Sequence, residues 1–223
     1  MCPCCSGSEN VNDLDNFFDE KYQFRAANKY LQNGLDKESQ RLIRWVADRL
    51  DGSQTIMEIG CGAGMIHHDL LRKEKVAHAV GIDVSTAGIK AANQNAEKFQ
   101  LSERIDYHKV DFAQNADQFQ SADFVVMDRV ICCYPFLDLL LGQAAEKTGK
   151  YLAISFPVEN FLSKLAIRTC GTCLRWFGQT FHPFLHGHAN IRSTAEAAGL
   201  RLAHQDRHFI WSMMVFERLP TQR

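Results

Sequence analysis

The sequence contains no long run of lysine or arginine, and its 25 basic and 26 acidic residues leave a formal net charge of −1 over 223 residues. With both signs interspersed, nothing favours a phosphate backbone as partner, so a nucleic-acid substrate is not expected. Apolar windows are broken by charged residues well short of the ~20 residues that span a bilayer, which argues against a transmembrane segment. The start, Met1-Cys2-Pro3-Cys4-Cys5-Ser6-Gly7, has no basic region followed by an apolar run. A secretory leader is therefore not expected, and a cytoplasmic location is the default. Internal repeats and low-complexity tracts are also missing. The length suits one large domain with a substantial core, or a domain with an appendage.

Cysteine is plentiful. Its eight copies fall in three clusters: Cys2, Cys4 and Cys5; Cys61 with Cys132 and Cys133; and Cys170 with Cys173. In a cytoplasmic setting these are most simply reduced thiols. Two sharper readings stand beside that one. The N-terminal cluster and the 170/173 pair could form a four-thiolate soft-metal site, although C-x-C-C is only half the usual spacing. The 170/173 pair could instead be redox active. No metal site is expected from the sequence as a whole.

Residues 1–12 are polar, cysteine-rich and without periodicity, and are expected to be a flexible tail. Residues 13–53 read as N-terminal helices. The first, Asp13 to Gln32, carries Leu14, Phe17, Phe18, Tyr22, Phe24 and Tyr30 and stops at Asn33-Gly34. Asp36 caps the second, which runs to about Leu50 with Leu42, Ile43 and Val46 inward. From residue 54 onward strands and helices alternate: strands 55–59, 78–82, 104–110, 123–127 and 150–156, helices 64–73, 85–99 and 137–147. This pattern predicts an α/β fold, a doubly wound and mostly parallel sheet with helices on both faces. Residues 158–187 interrupt it as an apolar and basic insertion. A short helix at 189–198, ended by Gly199, and strands at 200–208 and 209–217 close the chain.

The most informative stretch is Thr55-Ile56-Met57-Glu58-Ile59-Gly60-Cys61-Gly62-Ala63-Gly64-Met65, a buried-strand pattern running into three alternating glycines and then a helix. Glycines there let the backbone turn sharply and approach a ligand, with the free N–H groups of the following helix aimed into the same space. About twenty residues on, Ala79-Val80-Gly81-Ile82-Asp83 is a second apolar strand ending in an acid suited to ribose hydroxyls. A dinucleotide fold would show G-x-G-x-x-G; this chain shows E-x-G-x-G-x-G.

That pattern resembles the class I S-adenosylmethionine-dependent methyltransferases over roughly residues 36 to 218. The resemblance implies a seven-stranded sheet of order 3-2-1-4-5-7-6 and S-adenosylmethionine as cofactor, with S-adenosylhomocysteine as product. It implies that the backbone of Gly60, Cys61, Gly62 and Gly64 lies under the methionine part, that Glu58 helps hold the amino group, and that Asp83 takes the ribose. It implies that Asp111 faces the adenine amino group, with Phe112 as a ring neighbour, and that Val84 and Met127 also border the cofactor.

The fourth strand ends in Met127-Asp128-Arg129-Val130-Ile131-Cys132-Cys133-Tyr134-Pro135, where such enzymes present substrate-facing residues. Asp128 could serve as a base, or pair with Arg129 or neighbouring elements. Tyr134, before a proline that restricts it, could offer its phenol to the methyl acceptor, or pack at a helix start. This loop, the lead from Phe17 to Asp36, and Ala153-Ile154-Ser155-Phe156-Pro157 with a histidine at His186 together resemble the magnesium-protoporphyrin O-methyltransferase branch and its uncharacterised bacterial relatives. Two departures stand out: Cys133 replaces a histidine before Tyr-Pro, and the strand-end acid of that branch falls at Arg129. His186 matches a histidine of the branch and is a candidate base.

In the insertion, Phe161, Leu162, Leu165, Ile167, Leu174, Trp176, Phe177, Phe181 and Phe184 alternate with Lys164, Arg168 and Arg175. That mixture suits a lid over an apolar, carboxylate-bearing acceptor, or a peripheral membrane contact through 161–185. His182, His186 and His188 have near-helical metal spacing, but Pro183 and Gly187 interrupt any helix. His67 and His68 are expected on the solvated face of the first cofactor helix. A partner is therefore expected to be a small methyl acceptor; thiol or metalloid methylation, or a non-catalytic sensor of the same fold, are the alternatives. The oligomeric state is not legible.

Overall fold

The computed structural model describes residues 14–160 and 183–219. The 1–12 tail, the N-terminal cysteines, Cys170, Cys173, His182 and most of the expected lid lie outside those residues. Seven strands form one sheet in the order β3-β2-β1-β4-β5-β7-β6. They are β1 Thr55–Ile59, β2 His78–Asp83, β3 Ile105–Lys109, β4 Ala122–Asp128, β5 Thr148–Pro157, β6 Leu200–His208 and β7 Trp211–Arg218. Strands β1 to β5 pair in parallel, whereas β7 runs antiparallel to both β5 and β6. The expected α/β sheet and strand order are both present.

Helices α1 Glu20–Asn33, α2 Lys37–Ala47, α3 Met65–Arg72, α4 Thr86–Lys98, α5 Phe112–Asn115, α6 Leu137–Glu146 and α7 His188–Ala197 flank it. Alternation along β1 feeds two cores. Ile56 joins Leu42, Ile66 and Leu70 on one face, while Met57 and Ile59 join Phe112, Leu137 and Ile191 on the other. Glu58 shares the Ile56 face and so meets α3.

The helix expected over 13–32 is split. Asp19 is extended (ψ 175°) and its carboxylate accepts from Tyr22 N, so a new helix starts at Glu20. Asp36 caps α2 as expected, accepting from Glu38 N and Ser39 N at 3.0 Å each. The β6–β7 turn is a two-residue hairpin, since His208 pairs with Trp211. With no Asn-Gly available, Phe209 takes φ 52°, the position that favours glycine in a type II′ turn.

Candidate active site

The carboxyl ends of β3, β2, β1 and β4 stand side by side, and each carries an acid at or beside its end: Asp111, Asp83, Glu58 and Asp128. The loop after β1 folds against β2, with Gly60 N and Cys61 N both donating to Ile82 O at 2.7 and 3.0 Å. Gly60 (φ 69°) has no room for a side chain, because a Cβ would lie 2.5 Å from Val130 Cγ2. Gly64 (φ 78°) is as tight, with His67 Nε2 2.8 Å from where a Cβ would stand. These contacts make the glycines a packing requirement as well as a conformational one. Asp83 accepts from Gly62 N (2.6 Å) and Ser85 N (2.7 Å), and burial raises its carboxyl to about 6 against the lowering effect of those bonds.

Glu58 is buried and caps α3. Gly64 opens that helix without a side-chain acceptor, and Glu58 Oε2 takes the His67 backbone N–H at 3.0 Å instead. The same oxygen lies 2.6 Å from His67 Nδ1. Beyond it, His67 Nε2 is 2.9 Å and His68 Nε2 2.7 Å from the Tyr107 hydroxyl. His67 and His68 are therefore not on a solvated face: both are 0% exposed, because α3 packs into the core on both sides. Burial lowers their imidazoles to about 3 and about 2, so both are neutral.

Neutral rings fix the proton order when Glu58 is ionised. His67 Nδ1–H donates to Glu58, so its Nε2 accepts from the Tyr107 O–H, and His68 Nε2–H donates to the Tyr107 oxygen. His68 Nδ1 is then a bare acceptor, in keeping with its lack of a hydrogen-bond partner. Burial pushes the Glu58 carboxyl up to about 8.

On the adenine side of the expected site, Asp111 accepts from Ala113 N and from the Tyr134 hydroxyl, each at 3.0 Å. Tyr134 is thus buried with its phenol turned toward β3, not held out to an acceptor, and burial raises it to about 12. Phe112 is 2% exposed, its ring centroid 5.9 Å from that of Phe119 in the core. Met127 and Cys61 are also buried, and Val84 is half-buried.

Asp128 is consumed by pairing. Its Oδ1 accepts from Ser155 Oγ (2.5 Å); its Oδ2 accepts from Ser39 Oγ (2.6 Å) and Arg129 Nη2 (2.7 Å). Arg129 also reaches Asp36, tying the end of β4 to the start of α2. Both of its oxygens are thus engaged within the protein. His186 Nε2 lies 3.0 Å from Tyr134 O, and its ring stacks on Phe184. It faces a groove shared with Pro135, Leu137, Asp138 and Asn190. His188 pairs instead with Ser212 Oγ at 3.0 Å.

Two residues escaped the sequence reading. Gln23 of α1 is 4% exposed and lies over the glycine loop, its Oε1 3.2 Å from where a Gly62 Cβ would stand. Its spacing from Ala27 and Tyr30 marks the buried face of α1, and a glutamine there was the available signal. Tyr22, on the same helix, has Arg129, Asp128 and Asp36 near enough to act on its phenol, so it borders the β4 end. The N-terminal segment is fastened to α4 by Asp15 to Thr86 and Glu20 to Lys90.

A family described as a methyltransferase domain matches residues 50–199. The chain belongs to that family, whose cofactor is S-adenosylmethionine. A ribosomal protein L11 methyltransferase of Yersinia pseudotuberculosis is 33% identical over 115 residues, 51% of this chain and 37% of the relative. The mitochondrial ubiquinone biosynthesis O-methyltransferase of Candida albicans is 24% identical over 157 residues, 69% of this chain and 47% of that one. The chain thus spans less than half the length of these curated relatives. Magnesium protoporphyrin IX methyltransferase of Synechocystis, solved with S-adenosylhomocysteine, superposes with a TM-score of 0.73 at 16% identity, covering 94% of this chain and 100% of that one. Geranyl diphosphate C-methyltransferase of Streptomyces coelicolor gives 0.69 at 11% identity, over 89% and 84%. At those identities the likeness is one of fold. No helix among the described residues is long and apolar enough to cross a membrane.

Proposed function

We propose that this protein transfers the methyl group of S-adenosylmethionine to a small apolar or carboxylate-bearing acceptor. One observation carries the reading: Asp111, Asp83 and Glu58 stand on three adjacent strand ends, a set of acceptors suited to an amine, a diol and a second amine along one elongated molecule. In this assignment Asp111 meets the adenine amino group and Asp83 keeps lone pairs for the ribose hydroxyls. Glu58, steered by His67, takes the ammonium, while the backbone of Gly60, Cys61, Gly62 and Gly64 lies beneath the methionine part. Val84 and Met127 line the same side, and Phe112 supports it from the core. The cofactor, when bound, supplies an electrophilic methyl group on a sulfonium.

The chain's own contribution is alignment and exclusion of water. An ionised carboxylate acceptor needs no base. Among the candidates, Asp128 is assigned to holding α2, and Tyr134 to orienting Asp111. Tyr22 and His186 are left to face the acceptor. The Synechocystis enzyme that this fold resembles is named for a porphyrin carrying carboxylates, which favours that acceptor class. The test is methyl transfer from labelled S-adenosylmethionine to a panel of porphyrin and other carboxylates, thiols and phenols. A methyl ester product supports the reading; methylation confined to a protein or nucleic acid contradicts the small acceptor.

A further inference from the structure

Cys132 and Cys133 have no part in the reading above. They are successive residues of the turn after β4, with sulfurs 3.9 Å apart, and both are free thiols. Both sulfurs approach one backbone oxygen, Arg129 O, at 3.3 and 3.5 Å, so they lie on the same side of the loop. The loop is held in that shape at both ends. Arg129 takes a left-handed φ of 61°, which a residue with a Cβ rarely adopts, and Phe184 N donates to Cys132 O at 2.7 Å.

Two thiolates each about 2.3 Å from one centre lie about 3.3 Å apart at the roughly 90° angle of a pyramidal centre and about 3.8 Å apart at a tetrahedral one, so a small side-chain rotation brings the observed 3.9 Å to the bite of a chelate. A disulfide fits less well, since neighbouring Cα atoms stand only about 3.8 Å apart where disulfides usually span roughly 4.4–6.8 Å. Structural zinc would need further ligands, and among the described residues no group of three His, Cys, Asp or Glu is placed to supply them. A centre content with two thiolates and a substituent of its own is what remains.

We propose that Cys132 and Cys133 form a bidentate site for a trivalent, thiophilic metalloid of the arsenous acid class, on the loop bordering the acceptor side. The site stands independently of methyl transfer. The two sulfurs share a hydrogen bond in which either can be the donor, so each thiol can support the thiolate form of its neighbour as attack begins. With an arylarsine oxide, two As–S bonds form, the As=O bond breaks, and the two thiol protons leave with that oxygen as water. Arsenic stays trivalent throughout.

Phenylarsine oxide is the probe. The full chain is treated with it, challenged with excess glutathione, unfolded, alkylated and digested. Cys132 and Cys133 should lose alkylation together in the same molecules, and a dithiol should restore it. Alkylation of that peptide unchanged by the probe would overturn the site. As a second arm, Cys133→Ser is made in a chain carrying serine at 2, 4, 5, 170 and 173. Intact mass should show one glutathione-resistant adduct before the change and none after it. A resistant adduct that survives Cys133→Ser would also overturn the proposal. Isothermal titration with S-adenosylhomocysteine on the untreated chain keeps this outcome separate from that of the methyltransferase reading.

Discussion

The Tyr134 hydroxyl donates to Asp111 Oδ2 at 3.0 Å, joining the loop after β4 to the end of β3. In the proposed assignment a phenol so engaged serves the cofactor side of the site. Tyr134→Phe should weaken S-adenosylhomocysteine roughly tenfold, about 1.4 kcal/mol, the scale of one hydrogen bond to a charged group. Turnover at saturating cofactor should change less. A fall in kcat with unchanged cofactor affinity would return Tyr134 to the acceptor side.

His67 should matter through Glu58. His67→Leu removes the donor beside a buried carboxylate and is expected to weaken S-adenosylhomocysteine roughly ten- to hundredfold. In His67→Asn the side-chain amide can stand in for Nδ1–H, so much of the affinity should return. Methylthioadenosine, which has no amino-acid part, should bind all three proteins alike. Equal losses for both ligands would make His67 a packing residue only.

The carboxyl of Glu58, raised to about 8 by burial, gives binding a pH signature. Near pH 7 the ligand-free carboxyl holds a proton that an incoming ammonium displaces. Cofactor affinity should therefore rise between pH 6 and 8, and titration in buffers of different ionisation enthalpy should show proton release. Stability runs the other way. The folded pKa lies above the unfolded value of 4.5, so the native state binds more protons between them and this group's contribution declines as pH climbs toward 8. Glu58→Gln should flatten both trends; a variant with the wild-type pH dependence would contradict the assignment.

Asp128 should act on stability. Asp128→Ala leaves Arg129 short of a partner and two serine hydroxyls without their acceptor, at a cost of about 2 kcal/mol once partial exposure of Arg129 is allowed for. Denaturant unfolding should record that loss. A variant of native stability with turnover abolished would make Asp128 the base after all.

How far the sequence reaches is visible in particular residues. The glycine loop, the strand-end acids and the Asp36 cap were legible because each is a local pattern with a local cause. The His67 environment was not, since its partner Tyr107 lies 40 residues away and only the β2–β3 pairing brings it to α3. A short helix buried on both sides gives no clean periodicity, so two adjacent histidines read as solvated. The orientation of Tyr134 likewise depends on β3 and could not come from its neighbours. The break at Asp19 had a signal, an N-cap acid followed by Glu20, but the aromatic run on either side masked it.

The most direct test of the central claim is isothermal titration of the protein with S-adenosylmethionine and S-adenosylhomocysteine, beside the Gly62→Arg variant. Micromolar binding of both ligands by the natural chain is expected, with loss of both in the variant, whose side chain would fill the space between the loop and Gln23. Failure of the natural chain to bind either ligand, or undiminished binding by Gly62→Arg, would contradict that claim.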